Sequence, residues 1–234
     1  LLEAPEDRRN GRWIWHAEWD LTKDASVPIL VHDVDGDGDN DLIWGRGHRY
    51  GLYWLEQGVS PPLPLGEGRG EGAGNGTRSV PTTRTWTWRA IDTSWAQPHS
   101  IFLADLDGDK RPELVAGKRY MGHEGKDPGE YDLLCAYYYK FDPQVKTWSR
   151  NEIYFNHRAG FGLDPRAVDI DGDGDIDLVA ADRSSLCMFE NVPLITTRVA
   201  PFQSSIRYNH QEPLTAFGYT ALKRIPLSKS AGTS

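Results

Sequence analysis

Three short stretches of the chain place carboxylates at alternate positions: DVDGDGDND (33–41), DLDGDKRPE (105–113) and DIDGDGDID (169–177). Carboxylates this close repel one another unless a cation or several hydrogen-bond donors compensate their charge. Calcium accepts six to eight oxygen ligands and suits such loops better than magnesium or zinc. The spacing therefore predicts three calcium sites. Their side-chain ligands would be Asp33, Asp35, Asp37, Asp41, Asp105, Asp107, Asp109, Glu113, Asp169, Asp171, Asp173 and Asp177, and their carbonyl ligands Asp39, Arg111 and Asp175.

An EF-hand is the alternative source of such a loop, but the flanking residues do not favour it. An EF-hand carries a bidentate Glu at its twelfth position and a helix on each side. The twelfth position of the first loop is Trp44, and the flanks ILVHD and DLIWG have strand composition. Each loop is therefore expected to join two strands.

The loops belong to a longer unit that repeats about every 64 residues, with an insertion in the first copy. Upstream lie WIWHA (13–17), WTWRA (86–90) and TWSRN (147–151), and downstream lie GLYWLEQ (51–57), CAYYYKF (135–141) and SLCMFEN (185–191). Each unit offers about four short strands, which is the composition of a β-propeller blade. In CAYYYKF the tyrosines 137–139 alternate between faces, so at least one is expected to be exposed.

The acidic loop followed by a strand resembles the FG-GAP or VCBS repeat of integrin-type propellers, over roughly residues 13–191. The resemblance implies an all-β propeller of four-stranded blades with structural calcium. Three clear units predict three to four blades, an incomplete ring. Residues 1–191 would form the blades and the Gly- and Pro-rich segment 58–80 a disordered insertion, while residues 192–234 would be a degenerate blade or a loosely ordered tail.

Three histidines, His48, His99 and His123, are expected on one rim of the propeller, near Arg119 and Asp127. They are either solvated loop side chains or parts of a pocket for a sugar, an oxyanion or a second metal such as Zn²⁺. The segments GHRYGLYWLEQ and GKRYMGHEGKDPGEYD are similar to propellers related to aldos-2-ulose dehydratase, a sugar-processing lyase. If the chain is an enzyme, its catalytic candidates are His48, His99, His123 and Arg119 of this rim.

The net charge of −8 comes from the acidic loops, which hold fourteen of the 34 acidic residues. This acidity is therefore interpreted as a calcium signature and says little about partners. No nucleic-acid partner is expected, and no apolar run is long enough for a membrane span. Calcium-filled loops favour a secreted, periplasmic or cell-surface location. The composition predicts either a recognition module for carbohydrate or extracellular protein, or a metal-dependent sugar lyase or isomerase. Unpaired blade faces would require further blades or cause self-association.

Overall fold

The computed structural model describes residues 2–16, 18, 28–59, 84–155, 159–183, 185–193 and 219–227. Regular structure in these ranges is entirely β, which confirms the predicted all-β class. Within them, no helix is long or apolar enough to cross a membrane. Gly58 and Val59 end a strand, and the rest of the predicted insertion lies outside the described residues, as does most of the segment 192–234.

Two short strands, β1 (Leu2–Glu3) and β2 (Ile14–Trp15), pair with each other as a two-stranded sheet, and within the described residues they join no larger sheet. The first large sheet is an antiparallel meander of β3 (Leu30–His32), β4 (Asp41–Gly45), β5 (Tyr50–Val59) and β6 (Arg84–Ala96). The first acidic loop connects β3 to β4, as its apolar flanks predict. Trp13 and Trp15 are 59% and 69% exposed, whereas Trp54 of β5 is fully buried.

The second sheet repeats the same order with β7 (Pro98–Ala104), β8 (Glu113–Lys118), β9 (Cys135–Asp142) and β10 (Thr147–Phe155). The third consists of β11 (Arg166–Val168), β12 (Asp177–Asp182), β13 (Ser185–Pro193) and β14 (Tyr219–Leu227). Strand β14 pairs with β13 in parallel, unlike the fourth strand of the other two sheets.

Two apolar layers lie between the sheets. Trp54 of the first sheet packs in one layer with Leu114 and Tyr139 of the second. The alternate residues Val115 and Tyr138 pack in the other layer, against Leu178 and Phe189 of the third sheet. The second sheet is thus covered on both faces. This is why Tyr137, Tyr138 and Tyr139 are all buried, and the expectation that at least one is exposed was wrong. Cys135 and Cys187 are buried free thiols.

Candidate metal centres

The three acidic loops share one backbone conformation. In the first, Asp33 accepts hydrogen bonds from the amides of Gly36 and Gly38, at 2.9 and 3.1 Å. Asp105 and Asp169 accept from the equivalent amides of their own loops. The loop closes through residues in the left-handed region, which glycine adopts at little cost. The second loop places Lys110 there at φ +69°, where the other two have Gly38 and Gly174.

In each loop, one side-chain oxygen from each of three acidic residues lies within 4.8 Å of the other two. These groups are Asp33, Asp35 and Asp37; Asp105, Asp107 and Glu113; and Asp169, Asp171 and Asp177. The predicted carbonyl ligands are Asp39, Arg111 and Asp175. The backbone amide of each donates a hydrogen bond to the carboxylate of the aspartate two residues before it. Asp35 also holds a buried oxygen, Oδ1, without a hydrogen-bond partner. A hard cation matches such an oxygen-only donor set.

The last acidic residue of each loop is buried and ties the loop to the sheet. Asp41 accepts the Val34 amide at 3.1 Å and, from the next strand, the Gln57 amide at 2.7 Å. Asp177 makes the same pair of bonds in the third loop. Burial, together with the neighbouring Asp107 and Asp109, raises the pKa of Glu113 to about 7. A raised pKa means that the site disfavours a further negative charge unless a cation compensates it.

Two of the loops receive a lysine from another part of the chain, which sequence spacing did not reveal. Lys140 of β9 contacts Asp107 and lies 3.8 Å from Glu113. Lys146 donates to Asp35 at 2.7 Å and also contacts Glu56. Each ammonium group compensates part of the charge that a calcium ion would neutralise.

We therefore expect Lys140→Gln to tighten calcium binding at the second loop by about fivefold. Removal of a nearby positive charge from a partly exposed site changes the free energy of calcium binding by about 1 kcal/mol. Calcium titration against a chromophoric chelator would measure this, with Lys126→Gln, in the loop between β8 and β9, as the control. An unchanged or weaker affinity in Lys140→Gln would contradict the expectation.

The histidine rim comes from two different sheets. His48 lies in the tight turn between β4 and β5, which is closed by a 2.9 Å hydrogen bond from the Arg46 amide to the Gly51 carbonyl. His123 and Asp127 lie in the long loop between β8 and β9. The turn and the loop meet where the Tyr50 hydroxyl donates to Asp132 at 2.6 Å.

Three ligand atoms meet at this junction. The Nδ1 atoms of His48 and His123 are 3.1 Å apart, and each lies 2.8 Å from Oδ2 of Asp127. The two imidazole rings stack, with centroids 4.4 Å apart and planes 9° from parallel. A zinc-type ion held by these three atoms would keep room for a further ligand, because the two imidazole side chains are partly exposed. Two imidazoles and one carboxylate with an open position are typical of catalytic zinc.

The carboxylate of this group is held in its charged form. Burial tends to raise the pKa of Asp127, but the hydrogen bond with His48 and the proximity of His123 outweigh burial, so the pKa lies below its usual value. The imidazole side chains of His48 and His123 are 33% and 47% exposed, which leaves the group accessible from solvent.

A buried glutamate, Glu130, positions two of the three ligand residues. Its carboxylate accepts the backbone amide of His123 and, at 3.2 Å, the backbone amide of Asp127. The loop is further fixed by buried Lys118, whose Nζ donates to the Gly129 carbonyl at 2.7 Å. The sequence indicated Asp127 only as a neighbour of the histidines, because loop spacing does not show which side chains converge.

His99, the third predicted histidine, does not join the ligand group. Its Nε2 accepts a hydrogen bond from Arg119 Nη1 at 2.9 Å, so this nitrogen is unprotonated. Burial, together with the charges of Arg119 and His48, lowers the pKa of His99 to about 4. His99 is therefore a neutral acceptor that orients Arg119, and Asp127 takes the place that the sequence suggested for a third histidine.

Comparisons of the chain with protein-family models, curated proteins and solved structures find no match. The FG-GAP or VCBS resemblance therefore stays a hypothesis that depends on the acidic loops.

Proposed function

We propose that the chain is a calcium-stabilised module of the β-propeller type whose His48–His123–Asp127 group binds a zinc-type ion and performs metal-assisted lyase or isomerase chemistry on a sugar-like hydroxy-carbonyl compound. The mutual approach of the three ligand atoms to 2.8–3.1 Å carries the proposal. Solvated rim side chains have no need to converge in this way on one point.

The propeller part of the proposal is supported by the stacking of three consecutive sheets through two apolar layers. Each sheet also carries its acidic loop at the same place, between its first and second strands. The reversed direction of β14 departs from a regular blade. Calcium at the loops is supported by their shared conformation and by the oxygen-only donor sets.

The chemical part follows from the groups next to the three ligand atoms. A bound divalent ion would polarise a carbonyl oxygen and make the adjacent C–H bond more acidic. Arg119, held by His99, lies beside the ligand atoms with Nη2 3.1 Å from Nδ1 of His48. Its guanidinium group can stabilise negative charge that develops on a substrate oxygen, because it is positioned before the reaction begins.

The test is turnover of an aldos-2-ulose and of a 2-keto aldonic acid, followed by NMR at constant calcium with and without added zinc. We expect zinc-dependent loss of one of these sugars. His123→Ala should lower the rate at least a hundredfold, since loss of one ligand from a three-ligand site removes most metal affinity. Lys126→Gln, in the same loop, is the matched control and should retain the wild-type rate.

Two other outcomes would contradict the enzyme proposal. Sugar binding without turnover in the zinc-loaded protein would favour the recognition module instead. Turnover that is equal with and without the metal would remove the His48–His123–Asp127 group from the mechanism.

A further inference from the structure

The Arg119 guanidinium group lies against the same atoms that would hold the metal. Nη2 is 3.1 Å from His48 Nδ1 and 3.4 Å from Asp127 Oδ2. These two atoms also form two corners of the ligand triangle. An ion held by His48 Nδ1 would occupy that nitrogen, so Nδ1 could neither donate to Asp127 nor accept a hydrogen bond from Arg119. Nη2 would then have an N–H that no longer bonds His48, next to the atoms that hold the ion.

The guanidinium group cannot easily turn away to find another acceptor. Its Nη1 is fixed on Nε2 of buried His99, and its Nε is buried without a hydrogen-bond partner. Gly122 lies so close to the guanidinium that a Cβ at this position would overlap the Nε and Cζ atoms of Arg119. A fixed donor with an unused N–H lowers the entropic cost of binding an acceptor.

The charges at the site favour an acceptor that is an anion. Among the groups in direct contact at the site, a divalent ion and Arg119 would contribute three positive charges and Asp127 one negative charge. Of the nearby groups, Lys118 adds positive charge, and Glu130 and Asp182 add negative charge. A carboxylate can place one oxygen on the ion and the other on a guanidinium N–H, which matches the geometry of arginine–carboxylate recognition. A neutral sugar hydroxyl or carbonyl would leave the excess positive charge uncompensated.

We propose that Arg119 and the metal together form a carboxylate subsite, so that the ligand of this centre is an acidic sugar or a related hydroxy acid. This inference rests on the metal site proposed above and narrows its substrate class. His99 and Gly122 act as positioning residues, since they hold Arg119 and do not touch the carboxylate.

The experiment uses the full chain loaded with cobalt(II) at constant calcium, because the visible spectrum of cobalt(II) reports its coordination. Acetate is the probe, and acetamide is its uncharged counterpart. Acetate should change the spectrum of the wild-type protein, and acetamide should not. Arg119→Gln should weaken acetate binding at least tenfold while cobalt affinity stays the same or rises, since a positive charge near the ion has been removed.

Two further variants separate the position of Arg119 from its charge. Gly122→Ala keeps the arginine but displaces its guanidinium group, so acetate affinity should fall as in Arg119→Gln. Arg183→Gln removes another arginine, which donates to the Met121 carbonyl at 2.9 Å, and should leave acetate binding unchanged.

The outcomes distinguish the two proposals. If cobalt binds and acetate affinity is equal in wild type and Arg119→Gln, the carboxylate subsite is wrong while the metal site stands. If acetamide competes as well as acetate, the preference for an anion is wrong. If cobalt produces no spectrum of a His-ligated ion in the wild-type protein, the metal site and the subsite both fail.

Discussion

Removal of calcium is expected to lower the midpoint of thermal unfolding by more than about 10 °C. A ligand that binds only the native state adds about 2.7 kcal/mol of unfolding free energy per site at a hundredfold excess over its dissociation constant. For a chain of this size, each kcal/mol shifts the midpoint by about 2–4 °C. The summed effect of three filled loops on the midpoint is therefore larger than about 10 °C. Thermal melts followed by circular dichroism in millimolar calcium and in excess chelator measure the difference.

A matched pair within the first loop assigns this effect to the predicted ligands. Asp35→Asn removes a carboxylate with a buried, unpartnered oxygen, and Asp39→Asn changes a residue predicted to contribute its carbonyl alone. We expect Asp35→Asn to lose about a third of the calcium-dependent stabilisation if the three sites contribute equally. Asp39→Asn should retain nearly all of it. Identical melting curves with calcium and with chelator would refute calcium binding by the loops.

The second large effect concerns the histidine rim. His123→Ala should weaken zinc binding at least a hundredfold at constant calcium, because the site has three protein ligands and loses one of them. The melting temperature without zinc should change little, since the His123 side chain is 47% exposed. Zinc titration against a competing chelator, paired with a thermal melt of each variant, measures both quantities.

Two other histidines make this prediction specific. His99→Gln should bind zinc with an affinity much closer to wild type than that of His123→Ala, because the Nε2 atom of His99 bonds Arg119 and lies outside the ligand triangle. His32→Gln, in β3, serves as a control away from the site. If His99→Gln lost zinc as completely as His123→Ala, a three-histidine site would replace the one proposed here.

The acidic loops and the strands around them could be predicted from the sequence because both depend on local rules. Alternating carboxylates with glycines such as Gly36 and Gly38 specify the loop, and the period of two in CAYYYKF specifies a strand. What the sequence could not show is which face of each strand meets another sheet. The prediction of an exposed tyrosine among residues 137–139 failed for this reason, since the third sheet covers the second face.

The histidine site was predictable only in part. Equivalent places in the repeat indicated that His48 and His123 share a rim, but the loop between β8 and β9 has no repeat counterpart that would place Asp127. Its conformation depends on buried Glu130 and on the Lys118 contact with Gly129, both of which are tertiary. The lysines that reach the acidic loops escaped prediction in the same way, because Lys146 lies far from Asp35 in the chain.

The ligand triangle joins a turn of the first sheet to a loop of the second, so neither sheet can bind the ion alone. Affinity for the proposed ion would therefore be thermodynamically coupled to the packing of the two sheets, and the coupling would be reciprocal. A substitution in the buried layer around Trp54 and Tyr139, which includes none of His48, His123 and Asp127, should alter affinity for the ion if it changes the position of one sheet relative to the other. Bound metal should in turn protect the backbone amides of both sheets from hydrogen exchange. Binding of the ion would thus oppose separation of the first and second sheets.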